Sequence, residues 1–162
     1  MSFHLQPQTI KEIEQHALET YPEECCGIIL EDPLGTISPQ EYVRACGNIQ
    51  NQRHTEDPKT YPRDARTAYL MDPDDLLRIN LESERKNRPI KAFYHSHPDH
   101  PSYFSEKDKS DAMFWDEPAY PDSAYVVLSV YNDGIQDIKA FVWDEQQSDF
   151  TPISIIGVGD VV

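Results

Sequence analysis

The segment Ile90-Lys91-Ala92-Phe93-Tyr94-His95-Ser96-His97-Pro98 decides how the rest of the chain is read. Ile90 to His95 predicts a strand that leads directly into His-Ser-His-Pro. Successive strand side chains point to opposite faces, so His95 and His97 share one face. Their Cα atoms then lie about 6–7 Å apart at about 3.3 Å per residue. Imidazole nitrogens at that spacing can converge on one ion, with Zn–N bonds near ~2.0 Å. Pro98 ends the strand and turns the chain away. The loop from Pro98 to Phe104 can then carry Ser105-Glu106-Lys107-Asp108 back toward the strand. Two histidines and the Asp108 carboxylate leave a fourth tetrahedral position for water, which separates a catalytic zinc from a structural one.

Each half of this pattern has a plainer reading. A lone His-x-His arises by chance on many surfaces. Ser105-x-x-Asp108 is also a capping-box pattern, which alone means only a helix start. The two roles are compatible, because a helix beginning at Ser105 places Asp108 at the end of its first turn, facing back toward the strand. The combined spacing is far rarer than either half.

Working outward, the N-terminal element reads as a helix from about Thr9 to Thr20. Thr9 and Glu12 have capping-box spacing, and Ile10, Ile13, Ala17 and Leu18 fall on one face. Pro22 bars its continuation. A strand over Cys26 to Glu31 follows, then a turn at Pro33 and Gly35 and a strand over Glu41 to Ala45. Residues 47–65 read as a polar loop, and Thr67 to Met71 as a strand. Asp72-Pro73-Asp74-Asp75 starts a helix, with an N-cap, proline at the first position and acids in the first turn. Leu76, Leu77 and Leu81 would form its buried face. Ser105 to about Phe114 reads as helical and 116–123 as a loop. Ala124 to Tyr131 and Ile135 to Trp143 form a hairpin about Asn132-Asp133-Gly134. Phe150 to Val158 would add an edge strand, with 154–162 as a frayed tail. The sum is one α/β domain over 1–162, a mixed sheet flanked by two or three helices.

The composition fits that reading. The chain has 162 residues, 38% of them hydrophobic and 27% charged, as expected for a soluble globular domain. At that length about two thirds of the unfolded surface is buried, so folding needs no staple. No apolar run reaches the roughly 18 residues of a membrane span. Met1 to Pro7 lacks the basic start and apolar core of a signal peptide, so a cytoplasmic location is expected. Three cysteines, Cys25, Cys26 and Cys46, form no C-x-x-C pair and read as reduced thiols. The formal net charge of −15 repels phosphate backbones and disfavours nucleic acid as a partner.

His95-Ser96-His97-Pro98 with Ser105 and Asp108 resembles the JAMM/MPN+ zinc metalloprotease signature, His-x-His-x7-Ser-x-x-Asp. That family also has a glutamate just before a Cys-Gly or Met-Gly at the end of its first helix. Tyr21-Pro22-Glu23-Glu24-Cys25-Cys26-Gly27 occupies that place, and the match runs from that helix to the hairpin at 124–143. The resemblance implies the cytidine-deaminase-like JAMM/MPN fold and one catalytic zinc ion. His95, His97 and Asp108 would be its ligands, Glu24 the general base and Ser105 a hydrogen-bond donor to the oxyanion. Glu23 is the rival base. In extended chain the two glutamates face opposite ways, and the family's spacing to Gly27 selects Glu24. Cys25 and Cys26 read as buried packing groups. His100 reads as an exposed loop residue or a second ligand, and His4, His16 and His54 as exposed.

The resemblance is to the small prokaryotic branch, whose members act on ubiquitin-like sulfur-carrier proteins of the ThiS/MoaD type or their adducts. The implied partner is therefore such a carrier or a peptide. Its flexible tail would lie along the Ile90–His95 strand by β-augmentation. The alternatives are a non-catalytic MPN-type scaffold and a cell-wall or phage-tail type zinc peptidase. A deaminase is excluded, because its Pro-Cys-x-x-Cys pattern is absent.

Overall fold

Strand alternation over residues 90–98 does place two apolar layers on opposite sides of one sheet. The computed structural model describes residues 2–32 and 39–157. Its elements are β1 (Ser2–His4), α1 (Pro7–Thr20), β2 (Cys26–Asp32), β3 (Gln40–Cys46), α2 (Gln50–Glu56), α3 (Pro73–Lys86), β4 (Ile90–Pro98), α4 (Glu106–Asp111), β5 (Met113–Phe114), β6 (Glu117–Pro118), β7 (Ala124–Tyr131), β8 (Gly134–Asp144) and β9 (Asp149–Ile156). Seven strands form a mixed sheet in the order β1-β9-β8-β7-β4-β2-β3, and β5 pairs with β6 in a separate small hairpin. The β4–β7 and β1–β9 pairs are parallel, and the remaining pairs are antiparallel. The α/β class and the mixed sheet with flanking helices are as the sequence predicts.

Ala92 and Tyr94 of β4 point into the layer under α1, with Ile10, Ile13, Ala17, Ile29, Val126 and Leu128. Phe93 points to the other layer, with Ile28, Ile79, Phe104, Val127 and Phe150. His95 and His97 continue the Phe93 side by the same period of two. Gly27 on neighbouring β2 is required by this packing. A Cβ there would run into the ring of Tyr94, whose side chain is 1% exposed and whose hydroxyl meets His16 Nδ1 at 2.7 Å. Gly27→Ala should therefore cost about 1–3 kcal/mol by overpacking. Chemical denaturation would show it as a lower midpoint with unchanged slope.

Several sequence expectations are corrected here. The first helix starts at Pro7, with Gln6 as an N-cap that makes no side-chain bond, and Thr9 is buried inside it. Proline at the first position supplied the start, so the Thr9–Glu12 pair caps nothing. Leu18 is 43% exposed, because the stripe of Ile10, Ile13 and Ala17 already covers the sheet. Residues 50–56 form α2, which lacks an apolar stripe and so leaves no periodic signal. Residues 67–71 contribute one bridge, Asn48 to Met71, rather than a strand.

Asp72 caps α3 as expected, accepting from the Asp74 amide. Its buried residue is Ile79, however, and Leu77 and Leu81 are 60% and 37% exposed. The helix at 105 stops at Asp111, and 113–118 form the β5–β6 hairpin. The last strand is not an edge, since β1 lies outside it. Ser154 to Ile156 are paired with Ser2 to His4, not frayed. The predicted turn at Pro33 and Gly35 and residues 158–162 lie outside the described residues. Among those described, no helix is long and apolar enough to cross a membrane.

Candidate metal centre

The C-terminal end of β4 delivers His95 and His97 to one point, and α4 delivers Asp108 to the same point. The three residues are 1%, 6% and 7% exposed. Their facing atoms form a triangle. His95 Nε2 lies 3.1 Å from His97 Nε2, and Asp108 Oδ2 lies 3.1 Å from each. Ligands on a tetrahedral ion with bonds near 2.0–2.1 Å are separated by about 3.3 Å, so the triangle has nearly the size the ion requires.

The donor chemistry points the same way. His97 Nδ1 lies 2.9 Å from the Pro101 carbonyl, which can only accept, so Nδ1 carries the proton and Nε2 presents a bare lone pair. An ionised carboxylate also only accepts. Two acceptors 3.1 Å apart in a buried site repel unless a cation or proton lies between them. A divalent cation satisfies all three atoms together, and the residues present fit zinc. Among the described residues this is the one group of histidine, cysteine and carboxylate side chains with converging ligand atoms.

The protonation states suit ligands as well. Burial pushes the His95 imidazole down, against the pull of Asp108, and so favours the neutral ring. Burial would raise Asp108, but His95 and then His97 outweigh it and hold the carboxyl well below the usual range. The capping box at the start of α4 fixes the carboxylate. Ser105 Oγ accepts from the Asp108 amide at 3.0 Å, and Asp108 Oδ2 accepts from the Ser105 amide at 3.1 Å. The plain reading of Ser105-x-x-Asp108 and its place beside the histidines thus coexist.

Glu24 reaches the same cavity from the turn before β2. The cavity, about 390 Å3, is lined by Glu24, His97, Ser105 and Asp108 among others. Glu24 is 5% exposed, and burial, then the charge of Asp108, pushes its carboxyl up to about 9, while Lys107 and Arg63 pull the other way. Glu23 turns aside and accepts from Asn51 Nδ2 at 2.7 Å. A larger cavity of about 510 Å3 lies between α1 and β3 and holds none of the converging ligands.

Supporting residues had little sequence signal. Ser96 sits between the two histidines on the opposite face, and its Oγ accepts from the Cys25 amide at 2.8 Å. This ties β4 to the residue after Glu24. Asn48 Nδ2 donates to the carbonyls of Glu24 and Ala68, and its Oδ1 accepts from the Gln50 and Leu70 amides. Tyr69 stacks on His95 with ring centroids 4.6 Å apart. Cys25 and Cys26 are buried as expected, and burial pushes the Cys25 thiol up to about 12. His100 and His4 are exposed. His16 and His54 are not free surface residues, since His16 meets Tyr94 and His54 Nδ1 meets the Tyr61 carbonyl at 2.7 Å.

Comparison with known proteins adds an independent line. The family model of prokaryotic homologs of the JAB domain matches residues 6–143. The chain belongs to this family. A Thermus thermophilus JAB relative, named "Probable TtuB-protein conjugate cleaving protease", is 30% identical over 132 residues, spanning 75% of this chain and 80% of its own. Two solution structures share the fold. A Desulfitobacterium hafniense protein aligns with TM-score 0.67 and 20% identity over 95% of this chain and 91% of its own. A Salinibacter ruber protein aligns with TM-score 0.58 and 22% identity over 95% and 90%. The matched span of the JAB family model contains all of the converging residues described above.

Proposed function

We propose that this JAB-domain chain is a zinc-dependent peptidase or isopeptidase. Its substrate is the C-terminus of a ubiquitin-like sulfur-carrier protein, or an adduct of that C-terminus. The observation that carries the reading is the buried triangle of potential ligand atoms at 3.1 Å beside a buried carboxyl that faces the same cavity. The name of the Thermus relative, a protease that cleaves protein conjugates, supports the substrate class.

His95, His97 and Asp108 would hold the ion. Bound there, zinc supplies a Lewis acid that polarises the scissile carbonyl and acidifies water. Glu24 receives a proton from water as its oxygen adds to the carbonyl carbon. Burial holds this carboxyl up in the metal-free fold, and the charge of a bound divalent cation would lower it, so that the ionised carboxylate takes the proton and passes it to the leaving nitrogen as the C–N bond breaks. Ser105 Oγ already accepts from the Asp108 amide, so its own hydrogen is free to donate to the developing oxyanion. Tyr69, stacked on the buried His95 ring, covers one side of the ligand set, and the low exposure there strengthens these contacts.

The substrate tail cannot add to β4 by the β-augmentation expected from the sequence. Both edges of β4 are taken, by β2 and by β7. The tail must instead enter the cavity between the 63–68 and 100–108 segments. Small residues at the scissile bond allow close backbone approach there, as in a Gly-Gly tail. The test is incubation of zinc-loaded protein with carrier proteins extended beyond Gly-Gly, read by mass. Cleavage after the diglycine is expected. Efficient hydrolysis of unrelated peptides with every carrier left intact would point to a cell-wall type peptidase instead.

A further inference from the structure

The cavity over the ligand triangle brings two cationic side chains together in a chain of formal net charge −15. Arg63 and Lys107 both line it. The cavity's own carboxylates are engaged. Asp108 faces two imidazoles and a backbone amide, and Glu24 is given the proton transfer proposed above. Lys107 is paired with Asp111 at 2.6 Å on its outer side. Arg63 has no carboxylate partner among the described residues. Its one hydrogen bond is long, from Nη1 to the Thr67 carbonyl at 3.4 Å. Most of its five N–H donors are therefore free to bind something that enters the cavity.

The backbone that carries Arg63 is firmly held. Gln50, 3% exposed, donates from Nε2 to the Arg63 carbonyl at 2.9 Å. Two residues on, the Ala65 amide donates to Asn51 Oδ1 at 2.8 Å, and the Ala65 carbonyl accepts from the Glu24 amide at 2.7 Å. Arg63 is thus built into the wall beside Glu24. A planar guanidinium matches a carboxylate in a bidentate way, which a lysine does not. An anionic tail is repelled by most of this protein's surface, and Arg63 and Lys107 offset that repulsion where the tail must enter.

We propose that Arg63, with Lys107 lining the same cavity, is a specificity determinant of this site, selecting substrates with a carboxylate within about two residues of the scissile bond, where an extended residue spans about 3.3–3.6 Å. The proposal rests on the peptide-cleaving reading of the same cavity. The carboxylate has two possible sources. One is the terminal α-carboxylate of a short leaving group, and the other is an acidic side chain flanking the bond.

Four peptides distinguish them by calorimetric titration of the zinc-loaded protein. They are acetyl-Gly-Gly-Ala as the free acid and as the amide, and the amides of acetyl-Gly-Gly-Glu and acetyl-Gly-Gly-Gln. A free acid bound about tenfold tighter than its amide, with the preference erased in Arg63→Gln, identifies the α-carboxylate. The same preference for Glu over Gln, erased in the same variant, identifies the side chain. Lys107→Gln should reduce the preference less, because Asp111 already offsets that charge. Arg63→Lys should restore part of it. Equal affinity within both pairs, no binding of any peptide, or uniform weakening of all four by Arg63→Gln would overturn the proposal. Masses measured after each titration report cleavage separately. Preference without cleavage leaves carboxylate selection standing and removes the hydrolase reading, and cleavage without preference does the reverse.

Discussion

Glu24→Gln is expected to lower kcat/KM by about 10²–10⁴-fold while zinc stays near one per chain. Gln keeps the volume of the side chain and cannot carry the proton. Because Glu24 is not among the three converging ligand residues, the ion should remain. Glu23→Gln should leave the rate nearly unchanged, since Glu23 bonds to Asn51 on α2 and does not line the cavity. An active Glu24→Gln protein beside an inactive Glu23→Gln protein would reverse the assignment. A second readout needs no substrate. Burial raises the Glu24 carboxyl from 4.5 to about 9 in the metal-free fold. A raised acid contributes its stability below 4.5 and loses it as pH climbs toward 9. Metal-free protein should therefore weaken over that window in urea melts, and the glutamine variant should lack this component of the slope.

His97→Ala is expected to lower zinc affinity by at least about 100-fold and to remove activity with it. One of three protein ligands is lost, and Asp108 loses one of its two imidazole neighbours. The far-ultraviolet circular dichroism should be retained. The core clusters under α1 and around Phe93 and Ile79 do not include His97. The Pro101 carbonyl that loses its donor belongs to an exposed residue, where water can replace it. Equal zinc by elemental analysis in variant and parent would rule out the ligand set.

The converging residues were legible because their cues are local. Alternation puts His95 and His97 on one face regardless of what the strand pairs with. The Ser105–Asp108 spacing specifies a capping box, and the box fixes the carboxylate that meets them. Elements without periodicity were missed. Polar α2 has no apolar stripe, and Asn48, Ser96 and Gln50 act through hydrogen bonds to residues up to 71 positions away. Leu77 and Leu81 show the converse error. A leucine at helical spacing is a candidate for burial, but the layer facing α3 accepts Ile79 and leaves Leu77 mostly and Leu81 partly in solvent.

The sequence by itself determined the α/β class, the shared face of His95 and His97, and the identity of the converging residues. Each follows from backbone geometry over a few residues. Only the tertiary structure decided that β4 lies between β2 and β7, so that no tail can pair with it. It also decided that β1 covers β9 and that Arg63 is brought to the wall of the cavity that Glu24 lines. Those outcomes depend on which distant segments pair and pack. Strand order and burial arise from long-range contacts that no local period encodes.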